Sequence, residues 1–458
     1  MSGVLSYQDF QDRSPRHHQI MRVIFFIATC SWSLNTLDDY ADSGLSAAKI
    51  GMRVLPLMLV TIYVFFGPYK RFIGQAKRQI LWALWFYVII GSICGLVGIM
   101  PLLSLWKGIE IIVTIFWVSI CCHDADSSRR ELRTWLWYIE ILLYWTLFLA
   151  LINPSRGFQG SYTALPWLRG YLPMINPNGL SALANFVLVA LIFLPARYKA
   201  IRISIVGLIL LLAQSRTQYT AFAAVIFIII LDSIKTRKIG RVLILSGLMS
   251  LFILMSLGVL DRLIALFMRG QTSESMASLS GRTEYWGTAL RHARLFGGGL
   301  ATGSRSLIYL EQEVFRNNAV NLHSTYFETI LGAGYVAAIP FLLCLVGNIF
   351  RQYYRFLVRR GIMEGFLAGL GTILAARSIM SISLAIFCTD FYVLILFWVY
   401  LSHTAREKKV FLPPPKPNVR RFLDTEPGSD VSSGSDLEAE PLSPSLAKVH
   451  DGNRNPNA

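Results

Sequence analysis

The sequence predicts an all-α fold, a polytopic transmembrane helix bundle of about twelve crossings carrying one large, partly helical outward loop. Three observations predict it. The 458-residue chain is 54% hydrophobic and only 15% charged, with a mean hydropathy of +0.50, which is too apolar for an ordinary water-soluble domain. Apolar runs near the length needed to cross a bilayer recur along the chain. One long polar segment, Asp261 to His323, interrupts them and holds seven arginines, Arg262, Arg269, Arg282, Arg291, Arg294, Arg305 and Arg316, with no lysine.

Taken in order, the predicted crossings are Ile20 to Leu34, Ile50 to Gly67, Ile80 to Met100, Leu102 to Cys121, Trp135 to Ile152 and Gly179 to Pro195, then Ile203 to Ala213, Tyr219 to Leu231, Val242 to Leu260, Thr325 to Phe350, Met363 to Ile382 and Phe391 to Leu401. Met1 to Gln19 is polar and contains Asp9, Asp12, Arg13 and Arg16, which does not suit a cleavable signal peptide, so the first run is expected to stay as a membrane helix. After His403 the composition turns Pro-, Ser- and acid-rich. The expected division is a transmembrane catalytic domain over residues 1–402 and a disordered cytoplasmic tail over 403–458, because such a tail buries too little apolar surface to offset its ordering entropy.

The formal charge of +16 raises the question of nucleic acid, yet the basic residues fall in short clusters between apolar runs. Lys70, Arg71, Lys77 and Arg78 form one; Arg129, Arg130 and Arg133, then Lys235, Arg237, Lys238 and Arg241, and later Arg351, Arg355, Arg359 and Arg360 form others. Each follows an even-numbered crossing, where it faces the anionic cytoplasmic leaflet. Nucleic-acid binding is thereby excluded, both termini are placed in the cytoplasm, and the arginine-rich loop faces outward.

That loop carries the candidate chemistry. Arginine is a planar fork that binds phosphate oxygens in pairs and stays charged beside a membrane. From Arg282 through Glu284, Tyr285, Trp286, Ala289 and Ala293 the spacing predicts a short amphipathic helix ended by Gly297, Gly298 and Gly299. Its N-terminus either binds phosphate or rests on lipid headgroups. Arg216 follows an apolar run directly, as a snorkelling anchor or as a ligand at the depth of a lipid diphosphate. His323, where the loop re-enters the bilayer, is a candidate proton acceptor or a helix cap.

Three other groups invite attention. Cys121, Cys122 and His123, followed by Asp124 and Asp126, lack the spacing of a zinc site, and no metal or cofactor is expected. All six cysteines lie in or beside apolar runs, so no disulfide framework is expected. Lys107, Glu110, Arg53 and Arg377 are ionisable residues inside crossings, which suit either a transport route or static bundle contacts.

Several segments resemble, in order, the signatures of the O-antigen ligase and O-antigen polymerase superfamily. They are Asn176-Pro177-Asn178-Gly179, then Gln214-Ser215-Arg216-Thr217, then Ser280 to Trp286, then Leu295 to Gly299, then His323 ahead of Leu331-Gly332-Ala333-Gly334. The resemblance implies a metal-independent, inverting glycosyltransferase of the bacterial inner membrane. It would move a glycan from undecaprenyl diphosphate to an acceptor hydroxyl at the periplasmic face, with lipid A core as acceptor in a ligase and a second lipid-linked repeat in a polymerase. It implies that His323 is the catalytic residue and that Arg216 and Arg282 engage the diphosphate; Arg291, Trp286 and Asn178 are further candidates for binding diphosphate or substrate. Ser324, where the family often has asparagine, and Tyr335-Val336-Ala337 after Gly334 depart from the usual pattern.

Overall fold

A computed structural model of the chain describes residues 16–30, 43–77, 81–159, 166–236, 282–310, 322–359 and 361–410. Thirteen α-helices of eight residues or more organise them: α1 Arg16–Cys30, α2 Ser43–Phe66, α3 Trp82–Leu96, α4 Pro101–Cys121, α5 Ala125–Ile152, α6 Pro177–Phe193, α7 Lys199–Ala213, α8 Arg216–Thr236, α9 Arg282–Arg291, α10 Gly303–Leu310, α11 Thr325–Arg359, α12 Ile362–Met380 and α13 Thr389–Val410. Every predicted crossing except Val242 to Leu260, which lies outside the described residues, overlaps one of them.

Four of these helices, α4, α5, α11 and α12, are long and apolar enough to cross a membrane by themselves. Apolar helices of 10–17 residues lie within α2, α3, α6, α8 and α13. Twelve crossings are therefore not established, whereas a helical membrane protein is. Large side chains such as Leu55, Ile62, Phe227, Leu343 and Leu357 remain exposed on the outside, a surface suited to hydrocarbon.

Local chemistry sets the helix limits. α5 begins at Ala125, ten residues before the predicted Trp135, because Asp124 and Ser127 form a reciprocal cap in which the Ser127 N–H donates to Asp124 Oδ1 at 2.6 Å and the Asp124 N–H donates to Ser127 Oγ at 2.9 Å. Asn176 caps α6 by accepting from the Gly179 N–H at 2.7 Å, with Pro177 in the first turn, where its missing donor is harmless. α13 is buried on every side from Phe391 to Leu401, so it runs through the middle of the bundle. Trp398 on α13 packs against Phe341 of α11 with ring centroids 5.8 Å apart, and Tyr392 against Trp135 of α5 at 4.0 Å. Aromatic anchors of this size typically hold about 3–5 kcal/mol each against truncation to alanine.

The irregular connection between α5 and α6 contains two two-stranded antiparallel ribbons, β1 Phe158–Gln159 with β2 Trp167–Leu168, and β3 Gly170–Tyr171 with β4 Met174–Ile175. α13 continues to Val410, past the predicted boundary at His403; residues 411–458, most of the predicted tail, lie outside the described residues.

The ionisable residues within the bundle are paired. Arg53 Nε lies 2.6 Å from Glu110 Oε1 and its Nη2 donates to Glu110 Oε2 at 2.6 Å, while Lys107 Nζ lies 3.2 Å from the same carboxylate. Arg377 Nε donates to Asp390 Oδ2 at 2.7 Å. Arg53–Glu110 and Arg377–Asp390 tie neighbouring helices while Lys107–Glu110 lies within α4, all consistent with static bundle contacts. None of the six cysteines, all of them among the described residues, forms a disulfide.

Candidate functional site

Arg216 is held by a turn built for it. α7 ends as Gln214 takes a left-handed conformation, φ 49° and ψ 40°, which reverses the chain. The Ser215 carbonyl then accepts from the N–H groups of Gln218 and Tyr219 at 3.0 Å each, opening α8 with Arg216 as its first residue. The turn is clamped from outside by Trp167 Nε1, which donates to the Ala213 carbonyl at 2.8 Å, and from inside by Asn185 Nδ2, which donates to Gln218 Oε1 at 2.9 Å.

Arg282 is the first residue of α9, as the sequence predicts. That helix ends at Arg291, earlier than the predicted stop at Gly297 to Gly299, because those glycines are used elsewhere. Trp286, one turn after Arg282, donates its indole N–H to the Leu322 carbonyl at 3.0 Å and stacks on Phe327 with ring centroids 5.2 Å apart. It thus grips the backbone immediately before His323. Ala289, Leu307, Leu322 and Leu331 close into a small apolar cluster that joins α9 and α10 to the start of α11.

His323 itself adopts φ 53°, a left-handed conformation uncommon outside glycine. Such a residue carries about 1–3 kcal/mol of local strain and persists only where its surroundings fix it. Here the fixing contacts are the Trp286 bond to Leu322, the Ser324 carbonyl that accepts from the Glu328 N–H at 3.1 Å, and Thr325 Oγ1, which donates to the Ser381 carbonyl at 2.6 Å.

The glycines form a strap across a broken helix. α11 is interrupted at Gly334, with φ 76° and ψ 171°, which frees the carbonyls of Leu331 and Gly332 and the N–H groups of Tyr335 and Val336. The Gly298 and Gly299 N–H groups donate to Leu331 and Gly332, each at 2.8 Å, while Tyr335 and Val336 donate to the Arg294 and Leu295 carbonyls at 3.0 and 3.2 Å. These four backbone groups lost from the helix are thereby satisfied by the strap, as a buried break requires. A side chain would prevent this approach, since a Cβ at Gly297 would stand 2.4 Å from the Gly332 carbonyl oxygen.

Charge links the three predicted residues. Burial lowers the Arg282 pKa, and the neighbouring Arg216 charge lowers it further. Burial, then the Arg282 charge, brings His323 down to about 4. The imidazole is therefore neutral at physiological pH and able to accept a proton, and it lies in the positive field of an arginine that repels a second arginine. Two half-buried guanidiniums in mutual repulsion constitute a site complementary to an anion.

The remaining predicted residues are placed differently. Trp286 positions the His323 backbone. Arg291 lies exposed at the far end of α9 and donates to Thr288 Oγ1 at 2.9 Å. Asn178 is exposed in the first turn of α6. Arg262, Arg269 and Arg316 fall outside the described residues. Cys121 faces His18, Sγ to Nε2 at 3.8 Å, and His123 pairs with Asp124 at 3.1 Å, so this group divides between two neighbours. Sequence reasoning passed over Glu328, a fully buried carboxylate in the first turns of α11, because a single acidic residue at a helix start reads as an ordinary dipole partner.

Residues 200–342 match the family model described as O-antigen ligase. A comparison with curated proteins returned no match. Arg216, Arg282, His323 and the strapped break at Gly334 all lie inside the matched span. The helical membrane fold and this match support a membrane glycosyltransferase of the O-antigen ligase or polymerase type. Over that span the chain is similar to the O-antigen ligase family, which supports the O-antigen ligase and O-antigen polymerase superfamily.

Proposed function

We propose that this protein transfers a glycan from undecaprenyl diphosphate to an acceptor hydroxyl at the periplasmic face of the bacterial inner membrane, as an O-antigen ligase with lipid A core as acceptor. The observation that carries this reading is the electrostatic chain from Arg216 through Arg282 to His323. In the reaction, the acceptor oxygen attacks the anomeric carbon from the face opposite the diphosphate. The bond from that carbon to the diphosphate oxygen breaks, its electron pair leaves with the diphosphate, and the acceptor proton passes to the His323 imidazole. Configuration inverts.

Arg216 and Arg282 stabilise the charge that grows on the leaving diphosphate, in the role a metal ion plays elsewhere. The same charge raises the basicity of His323. In the empty site Arg282 opposes protonation of the imidazole, whereas a bound diphosphate offsets that field, and it does so most strongly as the leaving group becomes more negative. The base thus strengthens as the transition state forms, which is where catalysis requires it. Asn178 and Arg291 are assigned to the glycan, away from the diphosphate.

The test is reconstitution of purified protein with a defined undecaprenyl diphosphate glycan and either lipid A core or a second lipid-linked repeat. Product on lipid A core supports the ligase, and elongated lipid-linked chains indicate the polymerase. His323→Ala is expected to abolish transfer while membrane insertion is preserved; full activity in that variant rejects the proposed base.

A further inference from the structure

A second polar cluster lies beside the first turns of α11. Glu328 is 1% exposed and Ser304, at the start of α10, is 2% exposed. Ser304 lies near enough to act on the Glu328 carboxylate, yet Glu328 Oε2 is buried and has no hydrogen-bond partner among the described residues. Arg305, adjacent on α10 and half-buried, exerts its charge on both Glu328 and Lys107, but it makes no hydrogen bond or ion pair among the described residues. Lys107 is itself buried, on α4. A buried carboxylate oxygen lacking a donor is costly unless something supplies one, and a half-buried guanidinium near it offers an anchor for a bridging group.

The residue types specify what would bridge. A bare anion suits Arg305 and Lys107 but is repelled by Glu328. A neutral sugar suits Glu328, which accepts from hydroxyls, but leaves Arg305 without an acceptor. A saccharide bearing an acidic group satisfies both at once. Transfer also needs a second substrate site, and this cluster adjoins the first turns of α11, which directly follow His323, without including the arginines assigned to the donor.

We propose that Arg305, Glu328, Ser304 and Lys107 form an acceptor subsite for a saccharide carrying a phosphate or carboxylate, with Arg305 holding the acid and Glu328 a neighbouring hydroxyl. This rests on the transferase reading for the word acceptor. Its binding chemistry does not.

The experiment uses the full chain in phosphatidylcholine nanodiscs and measures binding of glucose 6-phosphate, glucose and inorganic phosphate by saturation-transfer-difference NMR. Glucose 6-phosphate is expected to bind wild type at least about tenfold more tightly than glucose does, and Arg305→Gln to lose at least about that factor. Arg305→Lys, which keeps the charge, retains part of the binding. Glu328→Gln weakens glucose 6-phosphate and leaves inorganic phosphate unchanged. Equal binding of glucose 6-phosphate by wild type and Arg305→Gln overturns the subsite. So does inorganic phosphate matching glucose 6-phosphate in wild type, which marks an anion site without saccharide recognition. Loss of the sugar phosphate in phosphatidylglycerol nanodiscs assigns the site to a lipid headgroup and also overturns it. Because the readout needs neither donor nor turnover, a wild-type protein that transfers glycan to neither acceptor would refute the transferase reading while leaving this binding result in place.

Discussion

Replacing Arg282 with Gln acts on two separable quantities. The first is donor binding. Loss of a charge-assisted contact to a phosphate costs about 1.5–3 kcal/mol, so kcat/KM for the undecaprenyl diphosphate donor should fall about 10- to 150-fold at pH 7. The second is the acidity of His323, held at about 4 against an ordinary 6.5. That depression is roughly 2.5 units, or about 3.4 kcal/mol between the two protonation states. Burial is its larger cause and the Arg282 charge the smaller. Removing the charge should therefore return at most about half, moving the acid limb of the kcat/KM profile up by about one unit or less. Stability follows with the same sign. The folded pKa lies below the unfolded one, so the unfolded chain binds more protons between pH 6.5 and about 4, and stability falls as the solution is acidified through that window. Arg282→Gln narrows the window from its acid end. Initial rates of transfer from pH 3.5 to 8, paired with thermal unfolding in detergent, measure both effects. A limb that stays fixed or moves to lower pH, or a kcat/KM within about threefold of wild type, refutes the reasoning.

Three further outcomes follow from the same geometry. Gly334→Ala places a Cβ 2.2 Å from the Leu295 carbonyl oxygen at a φ of 76°, so it should lower the melting temperature and reduce transfer together, at a cost of about 1–3 kcal/mol. Trp286→Phe preserves the apolar contact with Phe327 but removes the bond to the Leu322 carbonyl, so kcat should fall with little change in thermal stability beyond about 1 kcal/mol. Arg377→Met leaves Asp390 buried without its cation and should destabilise the bundle by about 3–5 kcal/mol in denaturation, which a further Asp390→Leu should largely restore.

The apolar runs were legible because a membrane helix satisfies its backbone internally and shows its length in composition alone. Arg216, Arg282 and His323 stood out as candidates because each stands at a polarity boundary, where a charged or titratable side chain is conspicuous. The break at Gly334 was only half legible. The Leu331 to Gly334 segment reads as an unusual run, but its meaning depends on hydrogen bonds to Gly298 and Gly299, more than thirty residues earlier in the chain. For the same reason Gly297 to Gly299 read as a helix stop when they form a strap. The pairing of Arg53 with Glu110, and of Arg377 with Asp390, depended on tertiary packing that a linear pattern does not encode. Arg305 was visible as one of seven loop arginines, and only its place beside Glu328 separates it from the rest.

The most direct measurement of the central claim is the titration of His323 with and without bound carrier. Histidine-labelled protein in nanodiscs gives ring signals for the seven histidines, and a His323→Gln difference spectrum assigns the one required. In the empty site its pKa should lie near 4, and saturating undecaprenyl diphosphate should raise it, with Arg216→Gln and Arg282→Gln weakening the carrier's binding. A His323 titration unchanged by bound carrier, or carrier binding indifferent to both arginines, would contradict the account.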